Sequence, residues 1–181
     1  MLFYKRTKVK ANLMLRCLKN AKKGIVLGLI LICLQSIGGV KAQVPVYDFN
    51  QFNEKYLKAT DYVYFFNFWA TWCKPCIEEL PLLNEFIQKN TDPNLKFVFV
   101  SLDDRDKLNS KVNPFVKKNN FGAEVIMLDD PNSNNWIDKI TFEWTGSIPA
   151  TVLKYQTRKF LAERKFSSMD DIKQFVDQVY R

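Results

Sequence analysis

Phe68-Trp69-Ala70-Thr71-Trp72-Cys73-Lys74-Pro75-Cys76 decides the reading of this chain. Before it, Tyr62 to Trp69 is an almost unbroken apolar and aromatic run, the pattern of a central strand buried on both faces. After it, Ile77, Leu80, Leu83, Phe86 and Ile87 recur at helical spacing, so Cys73 to Asn90 reads as a helix that Pro81 kinks. Two cysteines one helical turn apart therefore stand where a buried strand hands over to a helix.

A Cys-x-x-Cys pair has several chemistries. A zinc site needs further ligands, but the chain has no histidine, and its other cysteines, Cys17 and Cys33, lie in the N-terminal segment. A c-type haem site needs histidine next, where this chain has Ile77. An iron–sulfur cluster needs more thiolates. A purely structural disulfide across two residues closes too small a loop to stabilise much. A redox dithiol remains. A cysteine at a helix N-terminus faces unpaired N–H groups and the positive end of the dipole, which favours thiolate. Cys73 is then the nucleophile, with Lys74 adding positive charge, and the more enclosed Cys76 is the resolving thiol. No metal or other cofactor is expected, the redox group being the Cys73–Cys76 disulfide itself. Trp69 reads either as lining the site or as core.

The net charge of +8 is not spread evenly. Residues 1–42 carry nine basic and no acidic side chains, leaving 18 basic against 19 acidic in the remainder. The body therefore lacks the electrostatic footprint of a nucleic-acid binder. Lys22 and Lys23 precede an apolar run over 25–34, and Val40-Lys41-Ala42 offers small residues before a cleavage point at Gln43. This is the plan of a signal peptide, with Met14 as an alternative start. Uncleaved, the same segment would be a membrane anchor, although its apolar run is shorter than the roughly 20 residues of a span. Residues 1–42 are thus read as leader or anchor and 43–181 as one domain, placed in the periplasm or cell envelope.

Within that domain, Asp48–Lys58 reads as a helix, Leu95–Leu102 as a second buried strand, and Lys107–Asn119 as a helix with Pro114 an awkward resident. Glu124–Leu128 reads as a short strand and Asn132–Ile140 as a short helix. Ala150–Tyr155 and Lys159–Lys165 form a hairpin, and Ser168 caps a final amphipathic helix. This order predicts an α/β fold, a three-layer sandwich with a mixed central sheet between helices.

The stretch from Phe68 to Cys76, with Gly146-Ser147-Ile148-Pro149 downstream, resembles the thioredoxin superfamily over nearly all of 45–181. By that resemblance Pro149 follows a cis peptide bond beside the dithiol, leaving neighbouring backbone free to pair with a substrate strand; otherwise it is a strand-edge proline. Trp72, Lys74, Pro75 and Ile148 are the candidate substrate contacts, beside Cys73, Cys76, Glu79 and Pro149 as candidate catalytic residues. Cytoplasmic thioredoxins usually place a buried Asp six residues before the first cysteine, where this chain has Asn67. Instead Glu79-Leu80-Pro81 follows the second cysteine, as in the exported thioredoxin-like proteins of the TlpA/ResA type. The resemblance implies a reductase of disulfides in exported proteins, apocytochromes included, supplied with electrons by a membrane partner, and it gives Glu79 the role of tuning the dithiol. The alternatives are a thiol oxidase or isomerase, or a non-catalytic docking module. For Glu79 the alternative is an exposed first-turn acid, as Glu78 is expected to be.

Overall fold

The computed structural model describes residues 43–132, 134 and 136–181. The leader or anchor reading of residues 1–42, with Cys17 and Cys33, lies outside the described residues. Among those described, no helix is long and apolar enough to cross a membrane.

A six-stranded sheet runs in the order β1-β4-β3-β2-β5-β6. Its strands are β1 (Val46–Tyr47), β2 (Val63–Trp69), β3 (Leu95–Ser101), β4 (Glu124–Leu128), β5 (Ala150–Tyr155) and β6 (Arg158–Ala162). The first four are parallel to one another, whereas β5 runs antiparallel to β2 and to β6. The sheet is therefore mixed, as expected. Its helices are α1 (Phe49–Phe52, continuing as a wide turn through Leu57), α2 (Lys74–Lys89), α3 (Asn113–Asn119), α4 (Ile137–Ile140) and α5 (Met169–Val176).

Strand pleat sorts the aromatic run of β2 onto two faces. Val63, Phe65 and Trp69 meet Leu80 and Leu83 of α2 and Ile172 and Phe175 of α5. Phe66 and Phe68 meet Phe49, Phe52 and Tyr56 of the α1 segment and Ile140 of α4. Both faces are covered, which is why the run is continuous rather than alternating. Trp69 is core, fully buried with its ring 5.2 Å from that of Phe115. Trp136 and Trp144 also pack inside, on the other face.

The elements depart from the sequence reading in four places. A two-residue strand, β1, carries too little pattern to be read. The helix expected over 107–119 is present but changes type along its length: a 3-10 turn at Arg105–Lys107, a wide π turn at Leu108–Val112 and α-helix at Asn113–Asn119, with Pro114 where the wide turn gives way to α-helix. Of the helix expected over 132–140, the described residues show an α-helix at Ile137–Ile140; ahead of it the Asp130 carboxylate accepts from Asn132 N–H and its carbonyl from the Trp136 indole. Strand β6 ends at Ala162 instead of Lys165, since the next residues turn their polar groups toward other partners, described below. Helix α2 runs from Lys74 to Lys89 with Pro81 inside it.

Phe66 is fully buried on the face away from the dithiol. Replacing it with alanine should cost about 3–5 kcal/mol in urea unfolding and leave the alkylation rate of reduced Cys73 unchanged. A cost under about 1 kcal/mol, or an altered cysteine rate, would contradict this division of the core.

Candidate active site

Strand β2 ends at Trp69, and Ala70-Thr71-Trp72 carries the chain to Cys73, the N-cap residue of α2. Cys73 and Cys76 are joined as a disulfide with Cα atoms 5.3 Å apart. The Cys76 N–H donates to Cys73 Sγ at 3.3 Å, so this sulfur sits over the free amides of the helix start. Both residues are buried, Cys73 being 5% exposed and Cys76 1%. Trp72, Lys74 and Pro75 are exposed around them, Trp72 to 68%.

The loop before the helix is held by a carboxylate that the sequence reading passed over. Buried Asp103 accepts from Thr71 N–H at 2.9 Å, from the Thr71 hydroxyl at 2.5 Å and from the Ser101 hydroxyl at 2.8 Å. Its place follows from register: Trp69 pairs with Ser101 across β2 and β3, so two residues further on Thr71 faces Asp103. The signal is visible only once that pairing is known.

On the other side of the dithiol lies the segment before β5. The Ile148–Pro149 peptide is cis, and the Ile148 carbonyl oxygen lies 3.8 Å from Cys73 Sγ. Pro149 is buried and leads into β5, which sits between β2 and β6, so it is not a proline of an edge strand.

Beneath the helix, Glu79 is 1% exposed. It shares the inner face of α2 with Cys76, Leu80 and Leu83 and is no exposed first-turn acid. Glu78 is exposed and paired with Lys165 at 3.1 Å, but it too lies beyond the first turn of the helix. One oxygen of Glu79 accepts from Asn67 Nδ2 at 2.9 Å, and the other accepts the Phe166 N–H at 2.6 Å. Asn67 Nδ2 also donates to Thr151 Oγ1, its register partner on β5, at 3.0 Å. Among the described residues Asn67 Oδ1 has no hydrogen-bond partner. Burial raises the Glu79 carboxyl to about 7, against the lowering pull of the Phe166 and Asn67 hydrogen bonds and of the Arg164 and Lys165 charges. Such a group can take up or release a proton near neutral pH.

Residues 40–154 match the model of the AhpC/TSA family, a thioredoxin-fold family. The chain belongs to the AhpC/TSA family. Curated relatives of this family member include the thiol-disulfide oxidoreductase ResA of Bacillus thuringiensis (strain Al Hakam), 40% identical over 42 residues, which are 23% of this chain and 24% of that protein. The sporulation thiol-disulfide oxidoreductase A of Bacillus subtilis (strain 168) is 30% identical over 61 residues, 34% of this chain and 37% of that protein. These alignments span well under half of either relative. The crystal structure of a thioredoxin-related protein from Neisseria meningitidis serogroup B superposes with a TM-score of 0.57 at 19% identity, over 69% of this chain and 90% of that one. At that identity the likeness speaks to the fold, a mixed sheet flanked by helices.

The state of Glu79 should register in the stability of this AhpC/TSA member. Unfolded, the carboxyl releases its proton near its ordinary value of 4.5; folded, it keeps it to about 7. Between those values the native state binds more protons, so stability falls as pH rises, by roughly 3 kcal/mol in all, and levels off above. Glu79→Gln removes this slope. Urea unfolding of both oxidised proteins from pH 4 to pH 8 should show the wild type losing stability relative to the variant. Parallel curves would mean an ordinary carboxyl.

Proposed function

We propose that this protein is a thiol–disulfide oxidoreductase that reduces disulfides in exported polypeptides through Cys73 and Cys76. The observation that carries the reading is the Cys73–Cys76 disulfide at the start of α2 with the Glu79 carboxyl buried three residues beyond it. The family supports it, as do relatives whose names denote the same chemistry.

In the reduced protein the Cys73 thiolate attacks one sulfur of a substrate disulfide, and the other substrate sulfur leaves as thiolate and takes a proton. The mixed disulfide is resolved when Cys76, losing its proton, attacks Cys73 Sγ and expels the second substrate sulfur. The substrate gains two electrons and two protons, and the protein ends as the Cys73–Cys76 disulfide. Glu79 lies one helical turn from Cys76 and is the acid–base group suited to the Cys76 proton. Negative charge on Glu79 also disfavours thiolate at the dithiol, offsetting the helix N-terminus. Trp72, Lys74 and Pro75 flank the sulfurs, and Ile148 and Pro149 supply the backbone against which a substrate segment lies. Each turnover consumes two electrons, which a membrane-bound thiol donor would return. The leader, cleaved or kept as an anchor, would place the domain in the periplasm or cell envelope, where disulfides in apocytochromes and other exported proteins are the substrate class. As a reductase it would have a potential nearer thioredoxin's, about −270 mV, than that of a strong oxidant, about −120 mV.

The full chain should reduce insulin with dithiothreitol as donor. Cys73→Ser should drop the rate to the background of free dithiothreitol, whereas Cys76→Ser should accumulate mixed disulfides that reduction releases. A wild-type chain no faster than background would overturn the proposal, as would trapping by Cys73→Ser instead of Cys76→Ser.

A further inference from the structure

Glu163, the first residue after β6, is a third carboxylate engaged with the site's surroundings, after Glu79 and Asp103, and the exchange chemistry does not use it. One of its oxygens accepts the Ser147 N–H at 3.0 Å and the Thr145 hydroxyl; the other accepts the Thr145 N–H at 3.3 Å. Partial burial pushes this carboxyl up, but the bonds from Thr145 and Ser147 outweigh it and hold it below the ordinary carboxylate range. It is thus ionised, in the form that accepts all three bonds.

The loop so gripped is held from inside as well. The indole N–H of buried Trp144 donates to the Ser147 carbonyl at 2.9 Å, and its ring lies 4.5 Å from that of Phe68 on β2. Gly146 between them has φ +90°, a conformation that disfavours side chains, and a Cβ there would come within 3.0 Å of Ile137. The next two residues are Ile148, whose carbonyl oxygen is 3.8 Å from Cys73 Sγ, and Pro149. The connector that carries Glu163 also carries Phe166, whose N–H holds Glu79, and it is anchored independently by the two-pronged Arg164–Asp171 pair at 2.8 and 2.7 Å.

We infer that Glu163 is a positioning residue: by clasping Thr145 and Ser147 it fixes the Ile148 backbone beside Cys73 as the edge on which an extended polypeptide segment of the substrate pairs. This rests on the exchange reading above and adds a demand to it. A polypeptide disulfide must align main chain with main chain before its sulfur meets Cys73. A small aromatic disulfide needs no such alignment. Order in the loop therefore serves binding of polypeptides and leaves the reactivity of the sulfur alone, because preorganisation lowers the cost of binding and not of the exchange step.

Three measurements on the full chain test this: kcat and KM for insulin, the rate of the reduced dithiol with 5,5′-dithiobis(2-nitrobenzoate), and the pH profile of Cys73 alkylation. Glu163→Ala should raise KM for insulin about tenfold with kcat little changed. The small-disulfide rate and the pH profile should stay at wild type, since Phe166 still holds Glu79. Glu163→Gln keeps one acceptor but turns an amide NH2 toward Thr145 N–H; it should fold even if the alanine variant does not, and should raise KM about threefold. An unchanged KM in both variants would overturn the inference. So would equal losses on insulin and the small disulfide, or a shifted pH profile, each of which denotes general loosening of the connector. If the wild-type chain reduced neither substrate, the exchange reading itself would fall.

Discussion

A carboxyl group shut away from water beneath the dithiol helix is the constraint on which the rest of the site depends. Glu79 has one hydrogen bond from a side chain, Asn67, and one from the backbone, Phe166. Ionised, it lacks the hydration that a charge demands; neutral, it draws less from those two donors. The opposing effects bring it to about 7, so the group changes charge within the range where thiols are exchanged. The same balance explains why position 67 is an amide. A second carboxylate 2.9 Å from Glu79 could not ionise alongside it, and one of the two would be forced neutral far above the usual range. An asparagine gives β2 a donor in place of a competing charge.

The groups around Glu79 come from several parts of the fold. Of its two donors, Asn67 is on the central strand and Phe166 on the connector after β6, while Thr151, opposite on β5, accepts from Asn67 in turn. The sheet must close between β2 and β5, and α2 and α5 must cover one face of it, before the carboxyl is enclosed at all. Another buried carboxylate has a different role: Asp103 ties down Thr71 ahead of Cys73. It accepts from the neutral donors of Thr71 and Ser101.

Much of this was legible in the residues themselves, and the parts that were not share a physical reason. Strands β2 and β3 declare themselves because long apolar runs between polar breaks have few other uses, and Cys73 and Cys76 do so because every other chemistry of the pair lacks its ligands here. Glu79 could be singled out by resemblance, but its burial depends on Phe66–Trp69 placing Asn67 under it and on residue 166 crossing 87 positions of chain to meet it. Asp103, Trp144 and Glu163 act through contacts set by strand register or by a loop's path, and local pattern carries neither. Nor does it show that β6 stops at Ala162: the residues beyond look like strand, yet their polar groups are committed to Thr145, Ser147, Glu78 and Glu79.

The central claim is that Glu79 is a buried acid poised near neutrality. It is tested most directly by following the side-chain carboxyl carbon of Glu79 through a pH titration of the oxidised protein by NMR, with Glu79→Gln identifying the resonance. A midpoint near 7 is expected. A midpoint near 4.5, the value of an ordinary glutamate, would contradict it.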